Sequence, residues 1–247
     1  YVLKSTDRAI KLLPSVYRYH RFVDDIIIFC TGDSNITSSN IESLLPKPLQ
    51  LNLYKSKTVE LKRPKGEEKY ICHFEYLGYR YTIHHNHAPK KPRKINVSIA
   101  DKKINKIKTR LLLSSMAYAQ NRDYSLFYQR VRYLTGNYKF MKRRPMASTG
   151  RSVIRSGIFY NYRYCGEYQG SARSTYRMPE LRQLDWFLQN SVLGTRYPLG
   201  RKILGYLSKR QIKDLRRLSF AQGHNLIFST GYKSEDVKNI KKIWNNA

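Results

Sequence analysis

Asp24 and Asp25 stand side by side in RYHRFVDDIIIFC, residues 18–30, directly ahead of the apolar run Ile26, Ile27, Ile28 and Phe29. Two carboxylates about 4 Å apart repel by roughly 4 kcal/mol at an effective dielectric near 20, and a buried strand behind them resists their desolvation. A cation is the expected partner. Hard oxygen ligands suit Mg²⁺, which takes one or two carboxylates and completes its shell with water and phosphate oxygens. Two such ions, about 3.5–4 Å apart, serve phosphoryl transfer by activating an attacking hydroxyl and steadying the leaving oxygen. That arrangement needs a further carboxylate from elsewhere in the fold. Neighbouring strand residues point to opposite faces, so a shared ion also demands a turn, and residues 17–30 read as strand, tight turn, strand. The alternative is a D-D turn that merely caps a hairpin. The apolar run behind the two acids argues against it.

Charge points to the partner. Forty-seven Lys and Arg stand against 17 Asp and Glu in 247 residues, a formal +30 with a pI near 10.1. A compact chain with that excess repels itself unless a polyanion neutralises it. Tyr, at 21 residues, supplies rings for base stacking as well as core packing. Nucleic acid is the expected partner; a basic protein without that role is the competing reading. No stretch reaches the roughly 20 apolar residues of a membrane span, and no signal peptide is visible. Cys30, Cys72 and Cys165 are odd in number, widely spaced and without a C-x-x-C pair, so they read as reduced thiols of a cytoplasmic protein. His73, His84, His85 and His87 fit no zinc spacing and read as loop residues before APKKPRK.

The elements that must position these groups are mixed. A short helix is expected over 40–45, an edge strand over 49–61, a turn at RPKGEEK, and two short strands with Gly78 between them over 70–83. NHAPKKPRK (86–94) marks a domain boundary, giving units 1–90 and 91–247. Beyond it the chain reads as helical. Ser98 and Asp101 form an S-x-x-D cap ahead of an apolar stripe at Ile104, Ile107 and Leu111, with Lys103, Lys106 and Arg110 one step round the helix. Phe127, Val131 and Leu134 mark a second helix closed by Gly136. A third opens at Pro179 and runs through Leu188 to Gly194. Ser208 caps a fourth with Ile212 and Leu215 inside, and SEDVKNIKKIW forms a last short helix with its charges matched to the helix dipole.

RFVDDIIIF resembles the aromatic-x-Asp-Asp motif C of reverse transcriptases. LNLYKSK (51–57) is similar to the family's next palm motif, and FEYLGY (74–79) to the Leu-Gly strand pair that grips the primer end. The three occur in the family's order. LTGNY (134–138) and SGIFYNY (156–162) are similar to thumb sequences of bacterial reverse transcriptases of the unclassified, phage-defence-associated kind. The resemblance implies an α+β fold: the second half of a palm, then a basic α-helical thumb and C-terminal region. Fingers, motif A and motif B are expected upstream of Tyr1. It also implies RNA-directed DNA polymerase activity with two Mg²⁺ ions, and a part in antiviral defence. Asp24 and Asp25 would be metal-binding and catalytic, and Lys55 would be catalytic too, protonating the departing pyrophosphate or orienting the incoming triphosphate. Leu77 and Gly78 would grip the primer, while Lys103, Lys106 and Arg110 would track phosphates. Asp7, in a segment similar to the helix after motif B, is not the missing ligand. The implied partners are an RNA template, a primer–template duplex and deoxynucleoside triphosphates. A dedicated non-coding RNA, a partner protein and a second copy of the chain stay open. The rival from another class is a non-catalytic RNA-binding protein of palm-like shape.

Overall fold

The computed structural model describes residues 3–32, 34–61, 71–84, 91–143, 151–174, 178–226 and 229–244. The fold is mixed α+β with mostly antiparallel pairing. Helix α1 (Lys4–Lys11) leads into strands β1 (Val16–Phe22) and β2 (Asp25–Cys30), an antiparallel pair in which Phe22 faces Asp25. Helix α2 (Ser38–Ser43) follows, then β3 (Ile71–Tyr76), β4 (Tyr79–His84) and β5 (Lys94–Ile99). The long α3 (Asp101–Asn121) and α4 (Tyr124–Thr135) come next, then β6 (Asn137–Arg143), β7 (Arg151–Gly157) and the short α5 (Ile158–Tyr162). Strands β8 (Gly166–Gln169) and β9 (Ala172–Ser174) precede α6 (Pro179–Trp186), which continues as a π-helical turn, Phe187–Val192. Helices α7 (Pro198–Leu204), α8 (Lys209–Arg216) and α9 (Phe220–Asn225), strand β10 (Ser229–Gly231), α10 (Ser234–Lys241) and a 3₁₀ turn (Lys242–Trp244) follow. Strand orders are β1-β2, β10-β6-β7 and β3-β4-β5-β8-β9. Two compact units result, residues 1–77 with 81–95, and residues 78–80 with 96–247.

In the first unit Ile10, Tyr19 and Ile41 form a small buried cluster, with Val16, Ile26, Ile28 and Leu44 packed against it. Ile26 and Ile28 share one strand face because side chains alternate. The expected buried strand behind the two acids is therefore only half-buried, and Phe29 is 39% exposed. A strand with one neighbour and one covered face cannot bury every residue of an apolar run. Helix α2 starts two residues earlier than expected, because Thr37 and Asn40 build a reciprocal cap at its N-terminus. No strand forms over 49–61. Asn52 instead gathers the backbone N–H groups of Lys55 and Ser56 and the Ser56 hydroxyl on its carbonyl, a turn that ends any extended run. RPKGEEK lies outside the described residues.

In the second unit α3 buries Ile104, Ile107 and Leu111. Its N-cap is Ala100, not Ser98, which is buried at the end of β5. Tyr118 and Phe127 stack across α3 and α4 with centroids 4.9 Å apart. Arg130, buried, donates to the carbonyls of Asn239 and Ile240 near the end of α10, where a cation offsets the helix dipole. Gly136 closes α4, Pro179 opens α6, and Ser208 caps α8 reciprocally with Gln211, all as the sequence signals require. Ile212 is half-buried rather than inside. The second region, expected as helical, mixes its helices with strands: β6, β7 and β10 form a three-stranded sheet, with β8 and β9 in another. Its strands are short or rich in basic residues, so their alternation is weak in the sequence.

Candidate active site and nucleic-acid surface

The β1–β2 hairpin closes in two residues, Val23 and Asp24. Val23 has φ +55°, a left-handed conformation that β-branched residues rarely adopt. Positive φ at the first turn position alone is the pattern of a type II′ turn, whose twist suits a hairpin. This puts Asp24 in the turn and Asp25 at the head of β2, the rotation that adjacent acids need to approach one ion. Both residues are exposed. Among the described residues neither carboxylate has a hydrogen bond or ion pair. Exposure also corrects the energetic expectation: in water the repulsion of charges about 4 Å apart is near 1 kcal/mol, so the pair needs no cation for stability. What the tip offers is two carboxylates free to bind one.

The hairpin is braced from behind. Asp7 on α1 receives both prongs of Arg21, Nε to Oδ1 at 2.7 Å and Nη2 to Oδ2 at 2.6 Å, and the Tyr19 hydroxyl donates to Oδ1 at 2.6 Å. Arg21 Nη1 then donates to the Val23 carbonyl at 2.9 Å. The guanidinium holds the Asp7 carboxyl down at about 2, and burial with the same carboxylate pushes the Tyr19 phenol up to about 12. Both Asp7 carboxylate oxygens are thus engaged within the protein. From β3, Tyr76 donates its hydroxyl to the Asp25 carbonyl at 3.3 Å, and burial, with the Asp25 charge second, raises its phenol.

The β3–β4 connection is also a two-residue turn. Leu77 (φ +52°) and Gly78 (φ +82°) are both left-handed, as a type I′ turn requires. Lys103 runs its methylene stem across Gly78, where a Cβ would lie 2.7 Å from Lys103 Cε. The Ala100 N–H donates to the Gly78 carbonyl at 3.1 Å, Tyr79 Oη donates to the Asn161 carbonyl at 2.7 Å, and Arg80 meets Asp101 at 2.6 Å. Gly78 to Arg80 are therefore fastened to the start of α3 and to α5.

Lys103 and Lys106 are exposed on α3. Arg110, expected on the same phosphate-tracking stripe, is half-buried with its guanidinium 5.4 Å from the Trp244 ring centre, and its Nε is buried without a hydrogen-bond partner. The 3₁₀ turn after α10 brings Trp244 over that helix face, and its indole N–H donates to the Arg110 carbonyl and the Ser114 hydroxyl, both at 3.2 Å. Arg110 therefore packs against the indole, whereas Lys103 and Lys106 stay exposed. Lys55 is exposed in its turn, and no described contact joins it to Asp24 or Asp25. His84 lies on β4 and His73 on β3; His85 and His87 fall outside the described residues. The three cysteines are free thiols.

Comparison with protein-family models, with curated proteins and with solved structures returns no match. The likeness to reverse transcriptases rests on the motifs themselves.

Arg21, Tyr76 and Asn137 carry no sequence signal for the contacts they make. Arg21 looks like one basic residue among many, and its role depends on α1. Asn137, in LTGNY, is 5% exposed and fully bonded: its Nδ2 donates to the carbonyls of Gly223 and Leu226, each at 2.8 Å, and its Oδ1 accepts the Phe159 N–H at 2.9 Å. Asn137 also pairs with Gly157 across β6 and β7, and the Ile158 N–H donates to the Gly136 carbonyl. LTGNY and SGIFYNY thus form one structural knot.

Proposed function

We propose that the chain is part of a reverse transcriptase, extending a nucleic-acid 3′-hydroxyl with deoxynucleoside triphosphates on an RNA template, in the service of antiviral defence. The observation that carries this reading is the strained two-residue hairpin presenting Asp24 and Asp25, whose carboxylates have no partner among the described residues, in a chain of charge +30. Their donor chemistry fits the protein's share of one Mg²⁺, which takes one or two carboxylates and fills its remaining positions from water and phosphate. A second ion requires another carboxylate; the described residues contain no cluster of three or more metal-ligating side chains. When bound, Mg²⁺ supplies charge neutralisation at the triphosphate. The chain's own part is positional. Asp24 and Asp25 orient the ion, the turn at Leu77 and Gly78 lets backbone approach the primer, and Lys103 and Lys106 hold phosphates without reading sequence. Lys55 is exposed and free to meet a triphosphate.

Primer extension by the full-length protein with Asp24→Asn tests the assignment. Loss of product with retained nucleic-acid binding is expected; undiminished product would end the catalytic assignment of Asp24, and no product from the starting protein would leave the non-catalytic RNA-binding reading in its place. Supplying ribonucleotides instead of deoxynucleotides separates the proposal from an RNA-templated RNA polymerase, where Gly rather than Phe-Val usually precedes the two acids.

A further inference from the structure

We propose that Arg21, held by Asp7, is the positioning residue that keeps the Asp24–Asp25 turn in its strained, metal-ready form. The inference rests on the polymerase reading and adds to it a device built from three residues. A valine at φ +55° is disfavoured because its Cβ crowds the neighbouring backbone, so the turn persists only if its surroundings over-determine it. One side of the constraint is the Phe22–Asp25 pairing. The other is Arg21 Nη1, which takes the Val23 carbonyl at 2.9 Å and so fixes the peptide plane that leads into Asp24. A guanidinium can do this because its donors form a rigid planar fork. Two prongs are spent on Asp7 at 2.7 and 2.6 Å, which sets the plane, and the third then points at the tip. The Tyr19 hydroxyl on Asp7 Oδ1 fixes the carboxylate in turn. The chain of contacts runs from α1 through Asp7 and Arg21 to the Val23 carbonyl, one residue from the first acid. Arg21 touches neither substrate nor metal. It acts through the turn.

Two consequences distinguish this from ordinary stabilisation. Arg21→Lys keeps the charge but loses the fork, so the tip relaxes, and kcat for primer extension falls by about 10- to 100-fold, as expected when reacting groups are misplaced by a fraction of an ångström to an ångström. Val23→Gly on the Arg21→Lys background removes the crowding that the brace opposes, and kcat recovers by about 5- to 10-fold, because glycine enters the left-handed region without penalty. Asp7→Asn, a softer change, gives a smaller loss in the same direction.

The experiment measures kcat and KM for the deoxynucleotide with the full-length protein carrying each change, together with duplex affinity, which reports that the basic second unit is intact. Unchanged kcat in Arg21→Lys overturns the proposal, and so does a loss that Val23→Gly fails to restore. A crystal structure of Arg21→Lys, or of Asp7→Asn if the lysine variant does not fold, checks the brace without any activity. Val23 leaving the left-handed region supports it; Val23 remaining near its present φ overturns it. Asp24→Asn, run alongside, separates the two levels: undiminished extension there removes the catalytic assignment of the turn and the catalytic role of the brace together, whatever Val23 does.

Discussion

Lys103 lies along the open face of Gly78, so close that a single added methyl group at Gly78 would meet Lys103 Cε at 2.7 Å. The glycine has φ +82° and follows Leu77 at φ +52°. Since the atom it would strike is the far end of a flexible side chain, the contact itself yields cheaply, and the backbone decides the cost. Gly78→Ala is expected to lower stability by about 1–2 kcal/mol, and Gly78→Asn by less, because Asn tolerates the left-handed region. Denaturant unfolding of the two variants checks the order.

The lysines and the arginine of α3 separate in their effects. Lys103→Ala and Lys106→Ala each reduce the slope of log affinity against log salt by about one on a template–primer duplex. Arg110→Ala leaves that slope unchanged and instead lowers the thermal midpoint, through loss of about 0.5–2 kcal/mol of ring contact with Trp244 and of the packing of its stem. Equal salt slopes in all three variants would show that Arg110 reaches phosphate after all.

Asn137 ties three chain segments with three part-buried hydrogen bonds. Asn137→Ala leaves one N–H and two carbonyls short of a partner and costs about 2–4 kcal/mol. Gly223, whose carbonyl Asn137 holds, has no room of its own: a Cβ there would overlap the Thr135 carbonyl. Since backbone cannot step aside as a lysine can, Gly223→Ala costs about 3 kcal/mol or more. Chemical denaturation with both variants tests whether they rank above Gly78→Ala.

Acid weakens the brace in a defined window. The folded Asp7 carboxyl titrates at about 2 against an ordinary 3.8, so the folded state binds its proton less readily than the unfolded chain. Its contribution is complete above the ordinary value and lost as pH falls through about 2. The gap in thermal midpoint between the starting protein and Asp7→Asn is therefore constant from pH 7 to 5 and narrows between pH 4 and 2. A gap that stays constant down to pH 2 would mean that the Arg21 pair adds nothing to folding.

The local signals were legible in the residues because they are local. Pro179 opening α6, Gly136 closing α4, Ser208 with Gln211 capping α8, and the apolar stripe of α3 each depend on a few neighbours. The hairpin bearing Asp24 and Asp25 was readable for the same reason. Several features were decided elsewhere in the chain. Residues 49–61 alternate well enough for a strand, yet no strand forms, since Asn52 offers the backbone a turn. The strands β6 and β10 escape a pattern search because Asn137–Arg143 mixes lysine with aromatics and Ser229–Gly231 is three residues long. Arg110 looked like Lys103 until Trp244, 134 positions away, covered it.

Composition and short motifs determined the charge, the pair of acids, the tight turn beneath them and most helix ends, since each follows from residue type or from interactions within one turn. Tertiary structure alone decided which basic residues are free and which are bound. Whether a guanidinium faces solvent, a ring or a carboxylate depends on elements that meet only when the chain folds. Arg21 and Arg110 are alike as residues, but α1 gives one a carboxylate and the chain after α10 gives the other an indole.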